Sequence, residues 1–149
     1  VIAIIGILAT IGLVALNGAR EKARDATRKS DLSQLKTALV LYADDNNNAY
    51  PDAIDTNGDG SSSSDQDEGI FAACGASNPV CTNYISKALD DPTNSGEFVY
   101  AYQVCTASST NDGFLLYARL ESPGTGASYF WIAGDGTSGD GDPSPGSCA

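Results

Sequence analysis

The chain has no histidine, no Cys-x-x-Cys pair and only eight basic residues against nineteen acidic ones. Without histidine there is no Ser-His or Cys-His pairing to activate a nucleophile, and no G-x-S-x-G elbow or phosphate-binding glycine loop occurs. The same absences argue against a zinc site or a covalently attached haem, and no nucleotide cofactor is expected. Carboxylate pairs such as Asp90-Asp91 have the chemistry of a glycosidase site, but this pair precedes Pro92 and reads as a turn. No catalytic constellation is present, and the chain is not expected to be an enzyme.

The scarce positive charge is concentrated. Residues 1–36 carry net +3, whereas residues 37–149 hold two basic and sixteen acidic groups, net −14. A domain this acidic does not suit nucleic acid, whose phosphates need Lys and Arg. It reads first as a solvated surface that stays soluble at high local density. The basic belt Arg20, Lys22, Arg24, Arg28 and Lys29 has a plain reading as the flank of an anchor. Against that, a positive side that abuts an external domain runs opposite to the positive-inside rule. Pairing with acidic groups on neighbouring chains is therefore the expectation for these five residues.

Proline is also missing from Thr10 to Ala43, and nothing there breaks a helix. Residues Val1 to Leu16 contain no charge, and Thr10 is the sole polar residue among them. No basic stretch precedes this run, so it does not have the order of a secretory signal. Sixteen residues span ~24 Å as a helix, short of a ~30 Å bilayer core. Beyond the basic belt, Leu32, Leu35, Leu39 and Tyr42 make one apolar stripe. Asp44-Asp45-Asn46-Asn47-Asn48 and Tyr50-Pro51 then end the helix. The prediction is one helix of about 45 residues, roughly 65 to 70 Å long. Its amphipathic end packs on the chain's own domain, and its apolar start must be buried by membrane or by neighbours. Residues 1–30 are thus read as a protruding helix and 31–149 as a globular head.

Two stretches carry a family resemblance. Val-Ile-Ala-Ile-Ile-Gly-Ile-Leu-Ala-Thr (1–10) resembles the interior of the N-terminal helix of type IV pilins and type II secretion pseudopilins. Asp-Leu-Ser-Gln-Leu-Lys-Thr-Ala-Leu-Val-Leu-Tyr-Ala-Asp-Asp-Asn (31–46) with Tyr50-Pro51 is similar to the helix end of major pseudopilins and related pilins. The family's mature chain begins with a methylated aromatic residue followed by a glutamate, so the resemblance implies several residues before Val1. It also implies a homo-oligomeric helical filament outside the cell, whose subunits are held in the inner membrane before assembly machinery takes them up. Val1, Ile2, Ile4, Ile5, Gly6, Ile7, Leu8, Ile11, Gly12, Leu13, Val14 and Leu16 would form the filament core. A surface pilus subunit is the first reading. A major pseudopilin of a secretion system is the second, and a monomeric membrane-anchored calcium-binding or adhesive domain is the third.

The rest of the chain is read without the family. Phe98–Val104, Phe114–Leu120 and Ser128–Ala133 are short β-branched and aromatic runs separated by turn-rich clusters, an antiparallel meander of three or four strands. With the helix laid on it the fold class is α+β, and only one sheet face need be apolar. Cys74, Cys81, Cys105 and Cys148 read as two disulfides outside the cytoplasm. Of three connectivities, Cys74–Cys81 and Cys105–Cys148 are expected, the second tying an otherwise unstructured tail (134–149) to the sheet. Asp55-Thr56-Asn57-Gly58-Asp59-Gly60 matches the opening of a calcium loop, with Ser61 able to offer its carbonyl. Gln66 stands where the bidentate glutamate belongs, and Ser61 to Ser64 is low-complexity. Calcium at Asp55, Asn57, Asp59 and Ser61 and a flexible polar linker remain two open readings.

Overall fold

The computed structural model describes residues 2–51, 80, 83–85, 89, 91–93, 95–106, 111–122 and 128–143. Helix α1 (Ile2–Asp45) is followed by strands β1 (Tyr100–Thr106), β2 (Asn111–Arg119), β3 (Tyr129–Ala133) and β4 (Ser138–Asp140). The strands form one sheet in the order β1-β2-β3-β4, and every neighbouring pair is antiparallel. The class is α+β, a long helix with a small meander.

The helix stops at Asp45 for local reasons. Asn46 and Asn48 donate their backbone N–H groups to the Ala43 carbonyl at 3.0 and 2.8 Å, and the Asn46 side-chain amide donates to the Tyr42 carbonyl at 2.8 Å. Asn47 and Asn48 sit at φ of 58° and 59°. Asparagine visits that left-handed region more readily than other non-glycine residues, so this run satisfies the last helix carbonyls while turning the chain.

Leu32, Leu35 and Leu39 have no exposed surface, as their three-and-four spacing requires of a core-facing stripe. They meet Tyr100, Phe114, Leu116, Ala118 and Ile132, with Val80 buried among them and Tyr42, Tyr84, Ile85 and Leu89 at the margin. The register explains the choice of sheet residues. Tyr102 faces Leu116, which faces Ile132, and Tyr100 faces Ala118, which faces Phe130. Alternation puts these on one side of the pleat. Each leucine so buried stabilises the fold by ~1.5 to 3 kcal/mol.

Three sequence expectations need adjustment. Phe98 does not open β1: it makes an isolated bridge with Ser95, and the strand proper begins at Tyr100. The tail is not unstructured throughout, because a tight turn returns residues 138–140 to β3. Gly136 takes φ of 95°, Asp135 Oδ1 accepts the Thr137 N–H at 2.7 Å, and the Ala133 N–H reaches the Thr137 carbonyl at 2.9 Å. Finally, the sheet buries residues on both faces. Leu115 and Ala133, direct cross-strand partners, form a second buried cluster with Cys105 on the side away from α1. Cys105 is one half of a disulfide; Cys74, Cys81 and Cys148 lie outside the described residues.

Candidate assembly site

Helix α1 runs unbroken from Ile2 to Asp45, and the large apolar side chains described at its start are exposed. Ile2 is 88% exposed, Ile4, Ile5 and Ile7 are 61–63% exposed, and Leu16 is 49% exposed. Gly6, on the same stretch, has open space where a side chain would stand. Leu8, Ile11, Gly12, Leu13 and Val14 fall within this helix, and Val1 lies outside the described residues. No helix among the described residues meets the combined length and apolar character of a membrane span. From Ile2 to Arg24, where the head begins to grip the helix, is about 33 Å of α-helix.

The grip is ionic. Arg24, Asp25 and Arg28 share one side of α1, since residues three and four apart are neighbours on a helix. The Arg28 guanidinium has no exposed surface. Its Nε donates to Asp91 Oδ2 at 2.6 Å and its Nη2 to Asp91 Oδ1 at 2.9 Å, a bidentate fork. Nη1 donates to Asp25 Oδ1 at 2.7 Å, and Nη2 also reaches Glu121 Oε1 at 2.7 Å and Thr93 Oγ1 at 3.0 Å. The Phe98 ring lies 5.0 Å from the guanidinium carbon. Burial alone would lower the Arg28 pKa, but the hydrogen bonds to Asp91, Glu121 and Asp25 together outweigh it and raise the value.

Asp25 completes the joint from the other direction. It accepts the backbone N–H groups of Glu121 and Ser122, each at 2.9 Å, and so caps the chain where it leaves β2. Arg24 Nε donates to Glu121 Oε1 at 2.7 Å while its Nη2 pairs with the other oxygen. The Arg24 hydrogen bond, assisted by those from Arg28 and Thr93 against the opposing effect of burial, holds the Glu121 carboxyl at about 2. Two guanidinium groups and three carboxylates thus join α1 to the end of β2 and to the 91–93 segment.

Two further pairs continue along the helix. Lys29 Nζ donates to Asp140 at 2.8 Å and lies 4.7 Å from the Phe130 ring centre. Tyr100 donates its hydroxyl to Asp31 Oδ2 at 2.7 Å; burial first, then this carboxylate, raises the phenol pKa.

These positions give the basic belt contacts within the chain. Arg24, Arg28 and Lys29 each meet carboxylates of their own chain. The reason is that the head comes up the helix as far as Arg24, so three of the five belt residues face the domain. Arg20 and Lys22 lie beyond that point and are exposed. The partners Asp25, Asp91 and Glu121 had no individual signal in the sequence; the only hint was the four-residue spacing of Arg24 and Arg28 beside a strongly acidic remainder. Asp55, Asn57, Asp59 and Ser61 lie outside the described residues. Among the described residues, no three His, Cys, Asp or Glu side chains converge in a way that could hold a metal ion. Compared with protein-family models, curated proteins and solved structures, the chain matches none of them.

Proposed function

We propose that this chain is the structural subunit of an extracellular, pilus-like helical filament, assembled through residues 1–16 of its helix. The observation that carries the proposal is the run of exposed isoleucines at positions 2, 4, 5 and 7, on a helix whose other half is anchored to a folded head. Exposed apolar surface gains ~25 cal/mol per Å² when other chains cover it, and several neighbours would be needed to cover a helix on all sides. The resemblance to type IV pilins in residues 1–10 and 31–46 points the same way. Before assembly the same segment would rest in the inner membrane, from which the assembly machinery would extract it.

Within this proposal Arg20 and Lys22 pair with acidic head groups of neighbouring subunits. Cys105 pairs with Cys148 and Cys74 with Cys81, which would tie the tail to the sheet. Calcium at Asp55, Asn57, Asp59 and the Ser61 carbonyl would neutralise part of the head's −14. The test is negative-stain microscopy of cells producing the chain, with and without residues 2–18. Long surface filaments that vanish on deletion, leaving a folded monomer, are expected. Short periplasmic filaments would favour the secretion pseudopilus, and membrane-bound monomer alone would refute assembly.

A further inference from the structure

The face of the sheet turned away from α1 carries aromatic side chains that differ from Tyr84, Tyr100 and Tyr102 in how their polar ends are held. Tyr84, Tyr100 and Tyr102 each donate their hydroxyl to an acceptor in the protein: Asp45 at 2.7 Å, Asp31 at 2.7 Å and the Pro51 carbonyl at 2.8 Å. Tyr117, Tyr129 and Trp131 are half-buried, and among the described residues neither hydroxyl nor the indole N–H has a hydrogen-bond partner. Their polar ends are thus available to a ligand, while the rings present apolar area.

Their arrangement is a platform. Tyr117 and Trp131 are direct cross-strand partners, and Trp131 faces Gly139 on the edge strand. A Cβ at Gly139 would fall 2.9 Å from Cζ2, 3.1 Å from Cε2 and 3.3 Å from Nε1 of Trp131. The indole therefore lies flat over the glycine, with one π-face on the sheet and the other turned out. Tyr129 stands edge-on to Tyr117, ring centres 6.1 Å apart and planes at 78°. Opposite Tyr117 on β1 is Ala101, too small to cover it. Arg119, the cross-strand partner of Tyr129, is paired with Glu97, so its charge beside the platform is compensated within a head of net −14.

We propose that this platform is a binding site for a neutral saccharide. One face of a pyranose ring presents C–H bonds that stack on an indole or phenol, and its hydroxyl groups supply the acceptors that the Trp131 N–H and the two tyrosine hydroxyls lack. Charge complementarity excludes an acidic glycan, which the surrounding −14 repels. A basic peptide would need a carboxylate among these rings, and the described strand neighbours of Tyr117 and Trp131, namely Ala101 and Gly139, carry none. The proposal does not depend on filament formation, since the whole site lies within one chain.

Trp131 is the sole tryptophan and reports on its own site. The full chain, dispersed in a zwitterionic detergent so that no sugar headgroup competes, is titrated with chitotriose and cellotriose while indole emission is followed. Sialyllactose and trilysine serve as acidic and basic comparators. A saturable emission change with a neutral probe is expected, and Tyr129→Ala and Gly139→Ala should each weaken it about fivefold or more by removing or tilting a ring. Tyr129→Phe deletes a hydroxyl that holds nothing in the fold, and it should weaken binding about twofold or more with an unchanged far-UV spectrum. Tyr84→Phe should leave binding unaltered. Absence of a saturable change with both neutral probes, equal binding of either comparator, or undiminished binding in Tyr129→Phe would each overturn the proposal.

Discussion

Arg28 and Asp91, sixty-three positions apart, form a bidentate ion pair in which neither side chain has any exposed surface. A buried pair is a weak source of net stability, because desolvating both charges offsets most of their attraction. Its effect is instead on alternatives: with Asp25 and Glu121 also satisfied by Arg28, any other seating of the head on α1 would leave buried charges without partners. The pair thereby sets where along the helix the head ends and the exposed segment begins.

Substituting Arg28 tests this directly. Arg28→Ala would take the guanidinium from the Asp91 carboxylate, which has no exposed surface, and leave a buried charge held by weaker neutral donors such as the Thr93 N–H. A loss of ~3 to 5 kcal/mol in denaturant unfolding is expected. Arg28→Met with Asp91→Leu, which removes both charges, should recover most of that loss. Equal destabilisation by the single and the double substitution would contradict the account.

The pH dependence has two limbs. The Glu121 carboxyl is lowered from 4.5 to about 2 on folding, so the stability it contributes is complete above about pH 4.5 and disappears as pH falls toward 2. Glu121→Gln should flatten the unfolding free energy between those values. The Tyr100 phenol is raised above its ordinary 10.0, so its contribution is complete below pH 10 and is lost as pH rises through the folded value. Tyr100→Phe should soften the alkaline limb while lowering stability at neutral pH through loss of the Asp31 bond. Urea titrations across pH read both effects, and parallel curves for wild type and variant would refute either assignment.

Reduction and chelation separate the staples of the head. Reductant breaks the disulfide at Cys105, and a loss of ~2 to 4 kcal/mol is expected, read as a lower thermal midpoint. The calcium reading of Asp55 to Ser61 predicts a further drop with chelator that added calcium reverses. An unchanged midpoint with chelator would make that loop a linker.

Charge reversal at the exposed end of the basic belt probes assembly without touching the joint. Arg20→Glu with Lys22→Glu should alter head stability by less than ~0.5 kcal/mol, as surface substitutions generally do. Filament mass recovered by sedimentation should fall steeply, and more so at low ionic strength, where like charges repel over a longer range. Filament yield equal to wild type would remove these two residues from the interface.

The apolar start, the leucine stripe ending at Tyr42, the asparagine stop and the three main strands were all legible from periodicity and composition. Helix period, strand alternation and turn chemistry are local, so Leu32, Leu35 and Leu39 declare their face whatever packs on it. What the chain does with its charges is not local. Whether Arg28 looks outward or inward depends on where Asp91 and Glu121 arrive from 63 and 93 residues away, and both arginine readings are compatible with the same helix. Strand β4 was equally hidden, because its three residues Ser138, Gly139 and Asp140 have little strand propensity and pair only because a tight turn after β3 brings them beside Trp131. Local patterning alone specifies a long helix with an apolar start and a leucine-striped end. How far the head reaches along that helix is a matter of packing, because long-range ion pairs and sheet register do not follow from the order of neighbours in the chain.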